Sequence, residues 1–209
     1  MLAGTDGAVV LDLGCGDGTL GRICARLGVE VFGLDSIRPQ LGSAARIVGD
    51  AVQPPLLPGQ ADLVLAGNLF RHLRIRDLGA AFLRTWGDLL KPGGWLVLLE
   101  DERCSQPAAA LNYAELQDFL VTLTQGRRGK LIRLSEFQTL LPSVPLPGPW
   151  KSGLKKNDWP ADPETVMLML RGHGRAPVGE AARLIDSIGQ HGLSYGDYWW
   201  ACWEKNRDE

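Results

Sequence analysis

The feature that most constrains this chain is a glycine-rich turn between an apolar segment and a segment with helical periodicity. Val9–Leu13 (VVLDL) is short and almost wholly apolar, which predicts a buried strand of a parallel sheet. Residues 14–18 (GCGDG) form the turn, and Leu20, Ile23 and Leu27 then recur at the spacing of one helix face. Glycines let a backbone approach a ligand closely, and a helix N-terminus offers unpaired N–H groups. This strand–turn–helix unit predicts a site for a nucleotide-like ligand.

Further apolar runs, separated by helical segments, predict a layered α/β fold. These runs cover residues 29–34, 47–48, 62–66 and 95–100. Alternation of strands with helices is typical of a parallel sheet covered by helices. We therefore predict a doubly wound, mainly parallel seven-stranded sheet with helices on both faces. A closing antiparallel hairpin and a C-terminal helix–strand appendage complete the predicted fold.

The second half of the sequence leaves the pairing of the closing hairpin open. Residues 150–156 form one predicted arm. The preferred second arm is the apolar run 165–170 (TVMLML), which leaves a helix over about 178–190 and an aromatic strand over about 198–203 as the appendage. In the alternative pairing, the second arm is the aromatic strand itself.

Composition restricts the class of protein. The chain has 209 residues, of which 45% are hydrophobic and 22% charged, as in ordinary globular proteins. No apolar run approaches the roughly 20 residues of a membrane span, and residues 1–7 lack the pattern of a signal peptide. Four scattered cysteines predict neither a metal site nor a disulfide framework, and they favour a reducing cytoplasm. The net charge of −2 provides no global attraction for nucleic acid.

Acidic residues discriminate between the ligands that such a turn can hold. Residues 16–21 fit the dinucleotide spacing G-x-G-x-x-G, but the first glycine after the strand is Gly14. Counted from that glycine, the pattern is D-x-G-x-G-x-G and begins at Asp12. The carboxylates of Asp12 and Asp17 would repel a pyrophosphate and attract a ligand that carries an ammonium group. The charges therefore favour an aminoacyl cofactor over NAD.

Ordered segments of the first half resemble the motifs of class I, Rossmann-like S-adenosylmethionine-dependent methyltransferases. Residues 10–21 (VLDLGCGDGTLG) resemble the first motif, and residues 61–73 resemble the motif that passes the methionine portion and the transferable methyl group. Asp35 matches the acid that holds both ribose hydroxyls, and Asp50 matches the residue that meets the adenine amine. Residues 90–100 resemble the turn into the fifth strand.

The resemblance implies S-adenosylmethionine as cofactor and S-adenosylhomocysteine as product. The cofactor-binding residues that it implies are Asp12, Gly14, Cys15, Gly16, Asp35, Ser36, Ile37, Asp50, Ala51, Gly67 and Asn68. Ser36 occupies the place of a bulky apolar residue that often packs on adenine, so Ile37 or a residue near Asp50 is expected to stack there. Asp35 and Asp50 have an alternative role as caps of local turns. Cys15 is expected to be a small filler and not a nucleophile.

His72 and Asn68 are the candidate catalytic residues. A sulfonium methyl is already a strong electrophile, so the protein mainly aligns donor and acceptor and excludes water. An oxygen or amine acceptor must also lose a proton, and His72 is a candidate base because it follows the fourth-strand motif. Its alternative role is to cap or pack on the next helix. Asn68 is a candidate for orienting the acceptor by hydrogen bonds.

The predicted function is methyl transfer to a small-molecule acceptor, with a protein side chain or RNA as variants. The fourth strand is not followed by N/D-P-P-Y/F, which opposes amino-group methylation of adenine or glutamine. The predicted domain spans residues 1–209, with a cofactor-binding half over 1–101 and a substrate-side half over 102–209. One alternative is a non-catalytic partner or regulatory subunit that binds the cofactor, and another is an aminopropyl transferase.

Overall fold

The computed structural model describes residues 7–37, 45–73, 81–103, 107–125, 131–144, 146, 148–157 and 179–208. Its strands are β1 (Val9–Leu13), β2 (Glu30–Asp35), β3 (Ala45–Val48), β4 (Ala61–Gly67), β5 (Leu90–Asp101), β6 (Lys151–Lys155) and β7 (Tyr198–Glu204). Its helices are α1 (Thr19–Ala25), α2 (Ala81–Asp88), α3 (Ala108–Gln125), α4 (Leu134–Leu140) and α5 (Glu180–His191), and Leu141–Ser143 forms a 3₁₀ turn.

The strands form one seven-stranded sheet in the order β3-β2-β1-β4-β5-β7-β6. Within the group of strands β1 to β5, all neighbouring strands pair in parallel. β7 runs antiparallel to β5, because the N–H of Gly93 donates to the carbonyl of Lys205 over 3.0 Å and the N–H of Glu102 donates to the carbonyl of Asp197 over 2.7 Å. The predicted mainly parallel α/β sheet with helices on both sides is confirmed.

The position of β7 corrects the preferred hairpin pairing. β7 lies between β5 and β6, so the aromatic strand is the second arm and belongs to the sheet. Residues 165–170, the preferred second arm, lie outside the described residues. The physical reason is the apolar face of β7 on which Trp199, Ala201 and Trp203 lie, since all three are buried. A strand with that much apolar surface on one face is stabilised by packing inside a sheet and not as an appendage.

The chain divides into two compact units. The first comprises Met1–Glu100, Ser135–Gly153 and Trp200–Glu209, and it contains every predicted cofactor and catalytic residue. The second comprises Asp101–Leu134 and Leu154–Trp199. Its own core joins α3 to α5 and consists of Leu116, Phe119, Leu184, Ile188 and Leu193. The predicted division at residue 101 into a cofactor half and a substrate half stays a prediction.

No helix in the described part of the chain is both long enough and apolar enough to cross a membrane. The predicted C-terminal helix over about 178–190 is observed as α5, Glu180–His191.

Candidate active site

The predicted site residues follow strands that end at the same level of the sheet. Leu13 at the end of β1 is in register with Leu34 of β2 and with Ala66 of β4. Gly14, Asp35 and Gly67 come next in the chain, so all of them stand at one edge of the sheet. The strand order reverses here, because β1 has β2 on one side and β4 on the other. Ligands of open α/β sheets bind at this type of switch point, outside the carboxyl ends of the strands.

The glycine-rich turn after β1 takes a backbone conformation that favours glycine. Gly14, Gly16 and Gly18 have φ angles of 69°, 49° and 79°. The N–H groups of Gly14 and Cys15 donate to the carbonyl of Leu34 over 2.7 and 3.1 Å, which ties the turn to β2. A Cβ atom on Gly16 would meet no heavy atom of the described residues within 4 Å. The turn is therefore fixed at its base and open in front of Gly16.

Asp35 at the end of β2 faces this turn. Its Oδ2 accepts a hydrogen bond from the N–H of Gly16 at 2.8 Å, and its Oδ1 accepts one from the N–H of Ile37 at 3.0 Å. A carboxylate offers about four acceptor positions, so both oxygens can accept further donors. The local role and the ribose-binding role predicted for Asp35 are therefore compatible.

Ser36 and Ile37, which follow Asp35, are both exposed. Ile37 is 73% exposed. It is available to pack against a planar group that enters in front of the turn. The predicted contact of Ile37 with adenine stays a prediction.

The loop after β3 contains Asp50 and Ala51. Asp50 is exposed, and its Oδ1 accepts the N–H of Val52 at 2.8 Å in a turn of the kind that aspartate favours. Ala51 is buried, and its carbonyl accepts a hydrogen bond from Trp86 Nε1 at 2.7 Å. Trp86 of α2 is fully buried. The helical periodicity indicates only that Trp86 belongs to the core, whereas the structure shows that it also anchors this loop.

We expect Trp86→Phe to weaken S-adenosylhomocysteine binding by about threefold to tenfold. The substitution keeps an aromatic ring but leaves the Ala51 carbonyl without its donor, and an unmade buried hydrogen bond costs about 1–3 kcal/mol. Calorimetric titration measures the affinity, and urea unfolding measures the stability.

Trp199→Phe is the matched control for this prediction. Trp199 is also fully buried, donates from Nε1 to the carbonyl of Ile132 at 2.9 Å, and belongs to the second unit. We expect a similar loss of stability without a change in affinity. If both variants bind S-adenosylhomocysteine as the unsubstituted protein does, Trp86 has no role in the site beyond packing.

Asp12 is held inside the protein and not on the open side of the turn. The residue is 1% exposed, and its Oδ2 accepts the N–H of Gly21 in α1 at 3.1 Å. Burial raises the pKa of Asp12 from 3.8 to about 6, although the Gly21 hydrogen bond and the charge of Arg46 oppose that rise. Asp12 therefore supports the connection from β1 to α1. Its predicted attraction for the ammonium group of a ligand stays a prediction.

Asp17 likewise serves the turn itself. Its Oδ1 and Oδ2 accept the backbone N–H and the hydroxyl of Thr19, both over 2.9 Å, and Oδ2 lies 3.6 Å from Nη2 of Arg22. The hydroxyl of Thr19 and then its N–H hold the pKa of Asp17 below the usual range. Asp17 is therefore an ionised residue that closes the turn before α1.

Cys15 has the environment of a small core residue. It is 8% exposed, and burial raises the pKa of its thiol, with the charges of Asp12 and Asp35 adding to the rise. A Cβ atom on Gly33 would lie 2.8 Å from its sulfur, so the thiol fills the space that this glycine leaves. A protonated, enclosed thiol is a poor nucleophile, which agrees with the predicted role as filler. Within the described residues, no group of three or more His, Cys, Asp or Glu is arranged to hold a metal ion.

The segment after β4 carries Asn68 and His72, and β5 fixes its backbone. The N–H of Asn68 donates to the carbonyl of Leu99 at 2.7 Å, and the N–H of Phe70 donates to Glu100 Oε1 at 2.8 Å. Glu100 is 2% exposed, which makes this attachment a buried one. Sequence patterns did not single out Glu100, because an acid at the end of a strand has many roles.

Asn68 and His72 are both exposed. Asn68 has a φ angle of 52°, a left-handed conformation that is uncommon outside glycine and is found most often for Asn and Asp. The N–H of His72 donates to the carbonyl of Leu69 at 2.9 Å, so its backbone is fixed while its side chain reaches the surface. The alternative role of His72 is to cap or pack on the next helix. This role involves residues 74–80, which lie outside the described residues. Gly67, the last residue of β4, leaves room for the side chain of Leu20 of α1.

Comparison with known proteins identifies the family. A family model described as a methyltransferase domain matches residues 11–98. The ubiquinone biosynthesis O-methyltransferase of Albidiferax ferrireducens is 30% identical over 180 residues, which cover 77% of this chain and 70% of that protein. The chain belongs to the class I S-adenosylmethionine-dependent methyltransferases. It is an enzyme, and S-adenosylmethionine is its methyl donor.

Solved structures share the fold of this methyltransferase. The YcgJ protein of Bacillus subtilis superposes with a TM-score of 0.66 at 16% identity, over 96% of this chain and 93% of that one. Phosphoethanolamine N-methyltransferase 2 of Haemonchus contortus, in complex with S-adenosyl-L-methionine, superposes with a TM-score of 0.57 at 15% identity. That match covers 97% of this methyltransferase and 49% of the Haemonchus chain.

Proposed function

We propose that this methyltransferase transfers the methyl group of S-adenosylmethionine to a phenolic hydroxyl of a small molecule. The observation that carries the proposal is His72, an exposed imidazole on a fixed turn directly after β4. The Albidiferax relative is an O-methyltransferase by name, which supports oxygen as the acceptor atom.

The described residues fit the cofactor. The aminoacyl portion is proposed to lie in front of Gly16, where an added Cβ atom would meet no heavy atom of the described residues within 4 Å, and the two oxygens of Asp35 are proposed to accept the ribose hydroxyls. Ile37 is proposed to pack on adenine, with Asp50 and the N–H of Ala51 at its edge. Gly14, Cys15, Ser36 and Gly67 are proposed to shape the site through their backbone. When bound, the cofactor supplies an electrophilic methyl group, and the protein supplies alignment.

His72 and Asn68 are proposed to act on the acceptor. The imidazole of His72 would accept the hydroxyl proton as the methyl group is transferred, so that the oxygen does not develop a positive charge. The amide of Asn68 would orient the hydroxyl by a hydrogen bond. Its left-handed conformation costs free energy, and such strain is concentrated where a side chain must be aimed at a ligand.

A phenol suits a histidine base better than an aliphatic alcohol does. An imidazole has a pKa near 6.5 and a phenol has one near 10, so transfer between them is within reach of general base catalysis. An aliphatic alcohol is a far weaker acid, and it normally needs a stronger base or a metal ion. The chemistry of the site therefore favours an aromatic hydroxyl.

We expect His72→Gln to lower kcat about a hundredfold or more with an ordinary phenol as acceptor, because general base catalysis contributes about 10²–10⁴-fold. With a nitrophenol that is already ionised at the assay pH, the loss should be below about tenfold, because there is no proton to remove. Formation of S-adenosylhomocysteine measures both rates.

His191→Gln is the matched control, because His191 is an exposed histidine at the end of α5. It should leave both rates unchanged. Equal losses of rate with the two acceptors in His72→Gln would show that His72 only positions the acceptor or supports the turn. Methyl transfer to amines but to no hydroxyl compound would overturn the proposed acceptor class.

The proposed location of the enzyme is the cytoplasm. Cys15, Cys24 and Cys202 are free cysteines, which supports a reducing compartment. Cys104 lies outside the described residues.

A further inference from the structure

We propose that Arg46 is a positioning residue for the cofactor, whose guanidinium clamps the backbone of Gly16 and Asp17 in the shape that receives S-adenosylmethionine. The inference concerns only the donor side of the reaction. It therefore stands or falls independently of the acceptor proposed above.

Arg46 contacts the turn from a strand that is distant along the chain. It lies on β3, and its Nη1 and Nη2 donate to the carbonyls of Gly16 and Asp17 over 3.1 and 2.8 Å. These contacts join residues that are 30 and 29 positions apart. A planar guanidinium holds two donors in a fixed geometry, so it restrains two successive carbonyls together.

The surrounding glycines leave the space that this contact needs. Arg46 is in register with Gly33 of β2, and a Cβ atom on Gly33 would lie 3.8 Å from Cγ of Arg46 and 2.8 Å from the sulfur of Cys15. A Cβ atom on Gly18 would collide with the guanidinium itself. Glycine at position 18 is therefore favoured twice, by its φ angle of 79° and by the space that Arg46 occupies.

The clamp acts together with Asp35 on the same residue. Asp35 accepts the N–H of Gly16 at 2.8 Å, while Arg46 donates to the carbonyl of Gly16 at 3.1 Å. Both backbone polar groups of Gly16 are thus held by charged side chains. Hydrogen bonds to charged groups are about twice as strong as neutral ones, so the conformation is well defined before a ligand arrives.

The arrangement of Arg46 has an unfavourable part, because its Nε is buried and has no hydrogen-bond partner among the described residues. A surface arginine with no task at the turn would keep that group in water. Its position indicates that the contacts with the two carbonyls outweigh the loss of hydration.

A clamp and a simple charge effect predict different binding patterns. S-adenosylmethionine carries a net positive charge at neutral pH and S-adenosylhomocysteine carries none. If Arg46 acted only by its charge, its removal would favour the cationic donor over the product. If Arg46 holds the turn in shape, its removal should weaken both ligands by a similar factor, because both need the same backbone.

The test compares Arg46→Met and Arg46→Lys with the unsubstituted protein. Calorimetry with S-adenosylhomocysteine and S-adenosylmethionine should show about tenfold weaker binding of both ligands in Arg46→Met. Arg46→Lys should recover part of the loss, because an ammonium group keeps the charge and can donate to a carbonyl but lacks the rigid planar pair of donors. Hydrogen exchange without ligand, on a peptide that contains Gly16 and Gly18, should be about tenfold faster in Arg46→Met.

Arg84→Met is the control, since Arg84 is an exposed arginine that contacts Asp88 within α2. Urea unfolding of each variant separates a local loosening of the turn from a global loss of stability. Unchanged affinity for S-adenosylhomocysteine, or unchanged exchange of the turn in a folded Arg46→Met protein, would overturn the proposal. A gain in affinity for S-adenosylmethionine alone would also overturn the proposal and would show that Arg46 acts through its charge.

Discussion

Asp35→Ala is expected to weaken S-adenosylhomocysteine binding about a hundredfold or more. The substitution removes the two oxygens that we propose as acceptors for ribose hydroxyls, and a hydrogen bond to a charged group contributes about 1.5–3 kcal/mol. A total loss of about 3 kcal/mol corresponds to roughly a hundredfold in affinity. It also frees the N–H of Gly16, which Asp35 holds at 2.8 Å. Calorimetric titration of the purified protein measures the effect.

Two further variants make this result interpretable. Asp35→Asn keeps an acceptor oxygen but loses the charge, so we expect an intermediate loss of about tenfold. Glu30→Gln removes an exposed carboxylate at the other end of β2 and should leave the affinity unchanged. If a folded Asp35→Ala protein binds within about threefold of the unsubstituted one, the carboxylate only caps its local turn.

Asp12→Asn is expected to stabilise the methyltransferase at neutral pH by up to about 3 kcal/mol, because one pKa unit corresponds to about 1.4 kcal/mol. The pKa of Asp12 rises from 3.8 to about 6 because the carboxyl is buried. The folded protein therefore binds this proton more tightly than the unfolded chain does. The stabilising contribution is complete below pH 3.8 and is lost as the pH rises through about 6.

Urea unfolding between pH 4 and 8 measures this effect. Asparagine keeps an oxygen that can accept the N–H of Gly21 but cannot ionise. The gain in the free energy of unfolding should therefore be small near pH 4 and should reach its full size above about pH 6.5. If the two proteins differ by the same amount at every pH, Asp12 does not titrate in this range.

The same variant separates stability from ligand recognition. If the charge of Asp12 acts on a ligand through space, Asp12→Asn should weaken binding of the cationic donor more than binding of the product, which has no net charge, by about threefold to tenfold. Equal effects on both ligands would show that Asp12 serves only the fold.

Much of the donor site could be predicted from the sequence, because its parts depend on local patterns. An apolar run followed by glycines predicts where β1 ends, and a parallel sheet brings the ends of β1, β2 and β4 to one edge. Asp35 could therefore be placed beside the glycine turn before its hydrogen bonds were known. The burial of Asp12 could not be predicted, because the sequence does not indicate which charged side chains of a strand become enclosed by the protein.

The features that the sequence did not predict depend on register and long-range packing. Arg46 reaches Gly16 only because β3 pairs with β2 so that Arg46 stands beside Gly33. Trp86 has the spacing of a core residue, and periodicity does not indicate which carbonyl its N–H meets. The sequence leaves the pairing of the hairpin open because two apolar runs of similar length, residues 165–170 and 198–203, follow β6, and length and apolar content do not indicate which of them joins the sheet.

The double attachment of Asp35 has a consequence for the thermodynamics and rate of cofactor binding. Both carboxylate oxygens accept backbone N–H groups, from Gly16 and from Ile37. The side chain therefore loses little rotamer entropy when ribose arrives, and entropy loss is a main cost of association. We expect the cofactor to associate without a slow rearrangement of this carboxylate, so differences in affinity among related ligands should arise mainly from their rates of dissociation.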